Sequence, residues 1–176
     1  MAGRALAAKV AVRQEVLSVP FPIPDTMNPQ SDHGPLRGAD VVIPSDPAEA
    51  RRVQDQIEQL LQESNAHNHD VFSIKLALEE ALVNAIKHGN QMDRSKNVRI
   101  SYRLHADRFE VHIVDEGTGF DPSDVPDPTA FENLERPCGR GLMLMRHYMS
   151  EVAYNDRGNS VIMAKVFRNN GTRSSK

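Results

Sequence analysis

Apolar residues recur along this chain in two spacings, alternation typical of strands and steps of three or four typical of helices. The predicted order is a strand D-V-V-I-P from Asp40, a helix begun by S-D-P, a longer helix ending near residue 88, strands at 98–104 and 109–115, a helix at 142–149, and strands at 152–155 and 161–166. Helices bury a stripe and strands bury one face, so this order predicts a two-layer α/β (α+β) sandwich. Its helices are expected on one face of a mostly antiparallel mixed sheet.

The longer helix carries the most informative stretch, E-E-A-L-V-N-A-I-K-H-G, at residues 79–89. Its core-facing stripe is predicted to be Ile74, Leu78, Ala81, Leu82 and Ala85. Glu80, Asn84 and His88 then stack on the adjoining face, because residues four apart are neighbours on a helix. An amide oxygen can bind Mg²⁺, and a carboxylate one turn earlier can take a proton from a hydroxyl. Taken alone, Glu80 and Asn84 are equally typical of a solvent-exposed helix face. His88 is equally typical of a polar residue at a helix end.

Two glycine motifs follow the acid/amide pair. V-H-I-V-D-E-G-T-G-F ends a strand at Asp115, where a carboxylate can accept a hydrogen bond from an exocyclic amine. Gly117 and Gly119 remove side chains where a flat ring would approach the backbone. C-G-R-G-L-M-L-M places Gly139 and Gly141 just before a helix, a natural phosphate site. Three such elements in this order are far more specific than any one of them.

Length and composition predict one main domain. The expected parts are a disordered, proline-rich leader at 1–39, a domain at 40–167 and a flexible tail at 168–176. With 21 basic and 24 acidic side chains the net charge is −3, which does not favour nucleic-acid binding. No apolar run is long enough to predict a membrane span, and the single cysteine favours a reducing, cytoplasmic location.

The order of the three elements resembles the N, G1 and G2 boxes of the histidine-kinase-like ATPases, which share the Bergerat-type ATP-binding fold. Within that superfamily the form E-x-x-x-N-A-I-x-H-G resembles the bacterial anti-sigma factors that act as serine-protein kinases. The resemblance covers roughly residues 41–166 and implies ATP and Mg²⁺ as cofactors. It also implies that the long connection at 116–140, rich in proline and acids, is the ATP lid.

The resemblance implies a role for each motif residue. Glu80 would be the general base and Asn84 the Mg²⁺ ligand, while Asp115 would bind the adenine amine. The remaining nucleotide contacts would come from Lys87, Gly117, Gly119, Gly139, Arg140 and Gly141. Arg136 matches the arginine that the family places before its glycine turn, although one extra residue precedes the turn here. Arg140 and Lys87 remain rivals for that catalytic cation.

Two functions stay open at this point. The first is an ATP-dependent serine kinase that phosphorylates an anti-anti-sigma (STAS-type) protein and sequesters a sigma factor. The second is a nucleotide-gated binding module with little phosphotransfer. Glu80 favours the kinase, since a binding module needs no base. The resemblance also leaves a homodimer open.

Overall fold

The computed structural model describes residues 36–120 and 140–167, which belong to one compact unit. Its strands are β1 (Arg37–Pro44), β2 (Asn97–Leu104), β3 (Arg108–Asp115), β4 (Glu151–Tyr154) and β5 (Ser160–Val166). Its helices are α1 (Pro47–Glu63), α2 (Asn68–Val83), the π-helical segment Asn84–Gly89, and α3 (Arg140–Tyr148). The expected leader up to residue 35, the connection at 121–139 and the tail from residue 168 lie outside the described residues.

The five strands form one sheet in the order β1-β2-β3-β5-β4, and every pairing among them is antiparallel. Alternate residues of β2 and β3 face the helices and are buried, beginning with Val98 opposite Asp115. Asp115 therefore belongs, by register, to the same face as the apolar core. The predicted two-layer sandwich is confirmed, and no parallel pair occurs within the described strands.

The helices form where the apolar pattern predicts them. Asp46 caps α1 by accepting a 2.9 Å hydrogen bond from the Ala48 N–H, and Pro47 occupies the first turn. The predicted core stripe of α2 and the start of the π-helical segment is confirmed, since each member is at most 4% exposed: Ile74, Leu78, Ala81, Leu82 and Ala85. The helical layer thus rests on the sheet through this stripe.

The predicted long helix continues through residue 88, but it is not α-helical throughout. The α-helix ends at Val83, and Asn84–Gly89 continue as a π-helix. The Asn90 N–H accordingly donates to the Ala85 carbonyl, five residues back, at 2.8 Å. One extra residue in the turn changes the direction in which the following side chains point, and such turns are frequent at functional sites.

The first strand begins at Arg37 rather than at Asp40. Backbone pairing with β2 continues from Pro44 opposite Asn97 to Arg37 opposite Leu104, and such pairing does not require an apolar side chain. Arg103 Nη2 adds an ion pair with both carboxylate oxygens of Asp40, at 3.0 and 2.9 Å. Among the described helices, none combines the length and the apolar character needed to cross a membrane.

A buried asparagine joins the end of the helical layer to the sheet. Asn90 is fully buried; its Nδ2 donates to Ser45 Oγ at 2.7 Å and to the Asn97 carbonyl at 2.9 Å. Its Oδ1 accepts from the Glu116 N–H at 2.9 Å. One side chain at the end of the π-helical segment therefore bonds the residue after β1, the first residue of β2 and the residue after β3.

We expect Asn90→Ala to lower the free energy of unfolding by about 2–4 kcal/mol, because it leaves several buried polar groups without a partner. Urea denaturation measures this change. The control is Asn68→Ala at an exposed position at the start of α2, where the expected change is within about 0.5 kcal/mol. Equal effects of the two substitutions would contradict the structural role of Asn90.

Candidate nucleotide-binding site

A cavity of about 510 Å³ opens where the π-helical segment meets the sheet. Its wall includes Glu80 and Asn84 from the helical side, Asp115 from the end of β3, Gly141 from α3 and Tyr154 from β4. The volume lies within the range of roughly 300–1,000 Å³ that is usual for small-molecule sites. The three motif regions of the sequence therefore meet at one concave surface.

Glu80 and Asn84 lie together against the start of α3. A Cβ atom on Gly141 would stand only 2.5 Å from Glu80 Oε2 and 3.7 Å from Asn84 Nδ2. A side chain at position 141 would thus displace the carboxylate, and glycine leaves that space empty. A carboxylate and an amide one turn apart beside a helix N-terminus suit a proton acceptor and a hard-cation ligand near phosphate.

Asp115 is 8% exposed and lies between two glycine backbones. Its Oδ1 accepts a 2.8 Å hydrogen bond from the Gly117 N–H. A Cβ on Gly89 would overlap the Asp115 carboxylate, and one on Gly117 would overlap the Gly89 carbonyl. Burial raises the pKa of Asp115 above its usual value, while the Gly117 hydrogen bond and the charge of Arg157 act in the opposite direction. The site thus holds a buried acceptor whose charge is costly when no ligand is bound.

The turn between β4 and β5 supports the loop that follows Asp115. Asn159 exchanges hydrogen bonds with Asp115, its Nδ2 donating to the Asp115 carbonyl at 3.0 Å. Arg157 Nη2 donates to the Gly117 carbonyl at 3.2 Å. Gly119 has φ of +81°, and a Cβ there would overlap the Arg157 carbonyl, so this close approach requires glycine. The neighbouring β4–β5 hairpin, whose Asn159 also lines the cavity, therefore holds the loop in place.

Tyr154 brings an aromatic wall and a hydroxyl to the cavity. Tyr154 and Asn84 line the same cavity. The Tyr154 ring meets Phe120 edge-on, with centroids 5.2 Å apart and planes at 71°. Burial raises the pKa of Tyr154 to about 12, so the phenol is neutral near pH 7.

The structure brings six of the residues predicted for the site to the cavity wall: Glu80, Asn84, Lys87, Asp115, Gly119 and Gly141. Gly117 instead supports Asp115 from outside that wall. Arg140 begins α3 with an exposed side chain and does not line the cavity, whereas Lys87 is exposed and does. Arg136 and Gly139 lie outside the described residues. His88, left open above, also lines the cavity.

Sequence reasoning missed three residues that shape the site, Tyr154, Asn159 and Arg157. Tyr154 appears in the sequence only as one aromatic residue of a strand, and the other two belong to the turn D-R-G-N. The two turn residues, Arg157 and Asn159, donate hydrogen bonds to backbone carbonyls that lie 39 to 44 positions earlier in the chain. No local pattern indicates such contacts.

Comparison with known proteins identifies the domain family of this chain. The model of the histidine kinase-like ATPase domain family matches residues 43–165. The chain is 32% identical over 102 residues to the serine-protein kinase RsbW of Listeria monocytogenes, covering 52% of this chain and 63% of the relative. It is 33% identical over 111 residues to RsbW of Bacillus subtilis, covering 59% and 68%. For the serine/threonine-protein kinase BtrW of Bordetella bronchiseptica the identity is 31% over 88 residues, covering 49% and 62%.

A solved structure supports the fold. The RsbU and RsbW domains of Rv1364c from Mycobacterium tuberculosis match 75% of this chain and 32% of that chain, with a TM-score of 0.52 and 19% identity. The chain belongs to the histidine kinase-like ATPase domain family, and the resemblance inferred from its motifs is confirmed. It spans 63% of the length of the Listeria relative, just under two thirds.

We expect Asp115→Asn to weaken ADP binding at least about tenfold, because it removes the charged acceptor for an exocyclic amine. The same change should raise the unfolding free energy of the unliganded protein at pH 7. The raised pKa means that protonated Asp115 favours folding below the usual value of 3.8, and that this contribution is lost as the pH rises through the folded-state pKa. Calorimetry and urea denaturation measure the two effects.

The matched control is Asp156→Asn, an exposed aspartate in the β4–β5 turn. It should change neither ADP affinity nor stability by much. Comparing the affinities for ATP and GTP tests base selectivity, because only adenine presents the exocyclic amine at this position. Equal affinity for the two nucleotides would remove Asp115 from this role.

Proposed function

We propose that this protein is an ATP-dependent serine kinase of the anti-sigma type, which transfers the terminal phosphoryl group of ATP to a serine of a partner protein. The observation that carries the proposal is the placement of Glu80 and Asn84 beside Gly141 in the same cavity as Asp115. A base, a hard-cation ligand and an adenine acceptor are the groups this reaction needs. The relatives named as serine-protein kinases support it.

Each cavity residue has a distinct part in the proposed transfer. Asp115 binds the adenine amine and so sets the position of the nucleotide. Asn84 offers its amide oxygen to Mg²⁺, which neutralises charge on the phosphates when it is bound. Glu80 accepts the proton of the serine hydroxyl as that oxygen bonds to the γ-phosphorus and ADP leaves. Catalysis is then mainly positioning and charge compensation.

The cation for the transferred phosphoryl group is a separate question. Lys87 lines the cavity, whereas Arg140 stands at the start of α3 outside it. Arg136, the match to the family arginine, lies outside the described residues. We keep Arg136 as the proposed catalytic cation on the resemblance, with Lys87 supported by its position in the cavity wall.

The alternative function is a nucleotide-gated binding module without phosphotransfer. Such a protein would need Asp115 and Asn84 but would gain nothing from a carboxylate placed against Gly141. The closeness of Glu80 to the proposed phosphate turn therefore favours the kinase over the binding module.

We expect Glu80→Gln to keep nucleotide affinity but to reduce phosphotransfer by about 10²-fold or more, because the shape remains and the base is lost. Asn84→Ala should reduce both Mg²⁺-dependent nucleotide binding and transfer. The assay follows phosphoserine on partners recovered with the protein. Glu79→Gln is the matched control, an exposed glutamate next in sequence that should transfer at the native rate. Native-rate transfer by Glu80→Gln would refute the kinase mechanism.

We further propose that the partners are a sigma factor and a serine-bearing, STAS-type anti-anti-sigma protein. Membership of the family and its relatives named RsbW support this choice. The stretch between the glycine motifs also carries an acidic run suited to basic partner side chains: Asp121, Asp124, Asp127, Glu132 and Glu135. These acids lie outside the described residues, so the proposal rests on their sequence alone.

We expect the set of bound partners to depend on the nucleotide, because a ligand shifts an equilibrium only through its different affinity for two states. Pull-downs with ATP, with ADP and without nucleotide measure this dependence. Asp115→Asn serves as control, since a variant that binds nucleotide poorly should give one partner set in all three conditions. Identical sets with the native protein would refute nucleotide gating, even with nucleotide binding established.

A further inference from the structure

The outward face of α2 is largely apolar, although a helix that covers one face of a sheet usually exposes polar side chains. Beyond its first turn, α1 exposes only polar and charged side chains. On α2, in contrast, the residues that recur in steps of three and four on the outer side are Phe72, Leu76, Glu79 and Val83. Phe72 is 54% exposed and Val83 is 43% exposed. Holding the helix against the sheet does not account for these side chains.

The neighbouring helix α3 extends this apolar surface. It runs antiparallel to α2, because the Tyr148 ring meets Phe72 edge-on with centroids 6.1 Å apart, whereas Gly141 lies beside Glu80. Met143, on the outer side of α3, is 43% exposed. Six exposed or partly buried side chains form what we call the α2/α3 patch: Phe72, Leu76, Val83, Met143, Leu144 and Tyr148.

The α2/α3 patch ends at the proposed catalytic base. Phe72 lies eight positions before Glu80, which corresponds to about 12 Å along the helix axis. At the other end of the patch, Val83 also lines the nucleotide cavity. The sheet closes the inner side of both helices, so a protein that presents a serine to Glu80 from the helical side covers the patch.

We propose that the α2/α3 patch is the docking surface for the serine-bearing protein substrate, and that this substrate exposes an apolar side chain within about 12 Å of its serine. This inference rests on the proposed function, in which Glu80 accepts the serine proton. Exposed aromatic side chains and methionines are typical of protein interfaces. A second copy of this chain on the same surface would block access to Glu80, so we assign the patch to the substrate.

The test uses the serine-bearing protein that the native protein phosphorylates in the phosphoserine assay, purified without phosphate. Phe72→Ser and Met143→Ser remove apolar area at two places in the patch. Each should raise the KM for the serine-bearing protein about tenfold, while kcat and the KM for ATP stay within about twofold of the native values. The physical reason is that docking contacts remote from the reacting atoms are the same in the ground state and in the transition state.

Met92→Ser is the matched control for Met143→Ser. Met92 is 51% exposed but lies in the loop between the π-helical segment and β2, so its replacement should leave all three parameters unchanged. A native KM in both patch variants, or an equal rise in KM for Met92→Ser, would overturn the inference alone. A fall in kcat together with the rise in KM would also overturn it, because that result indicates a disturbed site.

Two further measurements identify other occupants of the patch. A lower mass of Phe72→Ser than of the native protein in sedimentation would assign the patch to a second copy. A fall of more than about 4 °C in the Tm of Met143→Ser would assign it to other residues of this chain. Either result would overturn the inference but not the proposed function. If the native protein phosphorylates no serine-bearing protein, the proposed function fails and this inference fails with it.

Discussion

The contact on which the cavity depends is the one between the Asp115 carboxylate and the backbones of Gly89 and Gly117. It brings the end of the helical layer and the end of β3 closer together than any side chain would allow. The close approach at these two glycines therefore sets the width of the cavity. The buried stripe of α2 sets only the distance between the helical layer and the sheet. Glycine serves here for close approach rather than for an unusual backbone angle.

The chain leaves the sheet after Asp115 because side chains take over its hydrogen bonds. The Glu116 N–H donates to Asn90 Oδ1 and the Gly117 N–H donates to Asp115 Oδ1, at 2.9 and 2.8 Å. Both amides are thus satisfied without a neighbouring strand, as buried backbone groups require. Asn90 belongs to the helical layer and Asp115 to the sheet. The hydrogen bonds that direct the loop away from the sheet therefore also join the two layers.

Sequence periodicity was sufficient to predict the sandwich, the hairpin of β2 and β3, and the buried stripe of α2, because these features depend on local spacing. The motifs, through their resemblance to the ATPase family, also implied that Glu80, Asn84 and Asp115 share one site, and all three line one cavity. The π-helical segment and the roles of Asn90 and Tyr154 were not predictable. Asn90 is hydrogen-bonded to partners 45 and 26 positions away, and local spacing does not indicate contacts of this kind.

Burial of Asp115 also links ligand binding to folding. Its raised pKa shows that the unliganded cavity holds a negative charge that its surroundings solvate incompletely. A ligand that donates a hydrogen bond to this carboxylate supplies part of the missing solvation, so binding would stabilise the fold through the same group that we propose binds the adenine amine. The unliganded protein is therefore less stable because Asp115 is buried without a ligand to solvate its charge. Hydrogen bonds from the β4–β5 turn hold the loop after Asp115 in this arrangement.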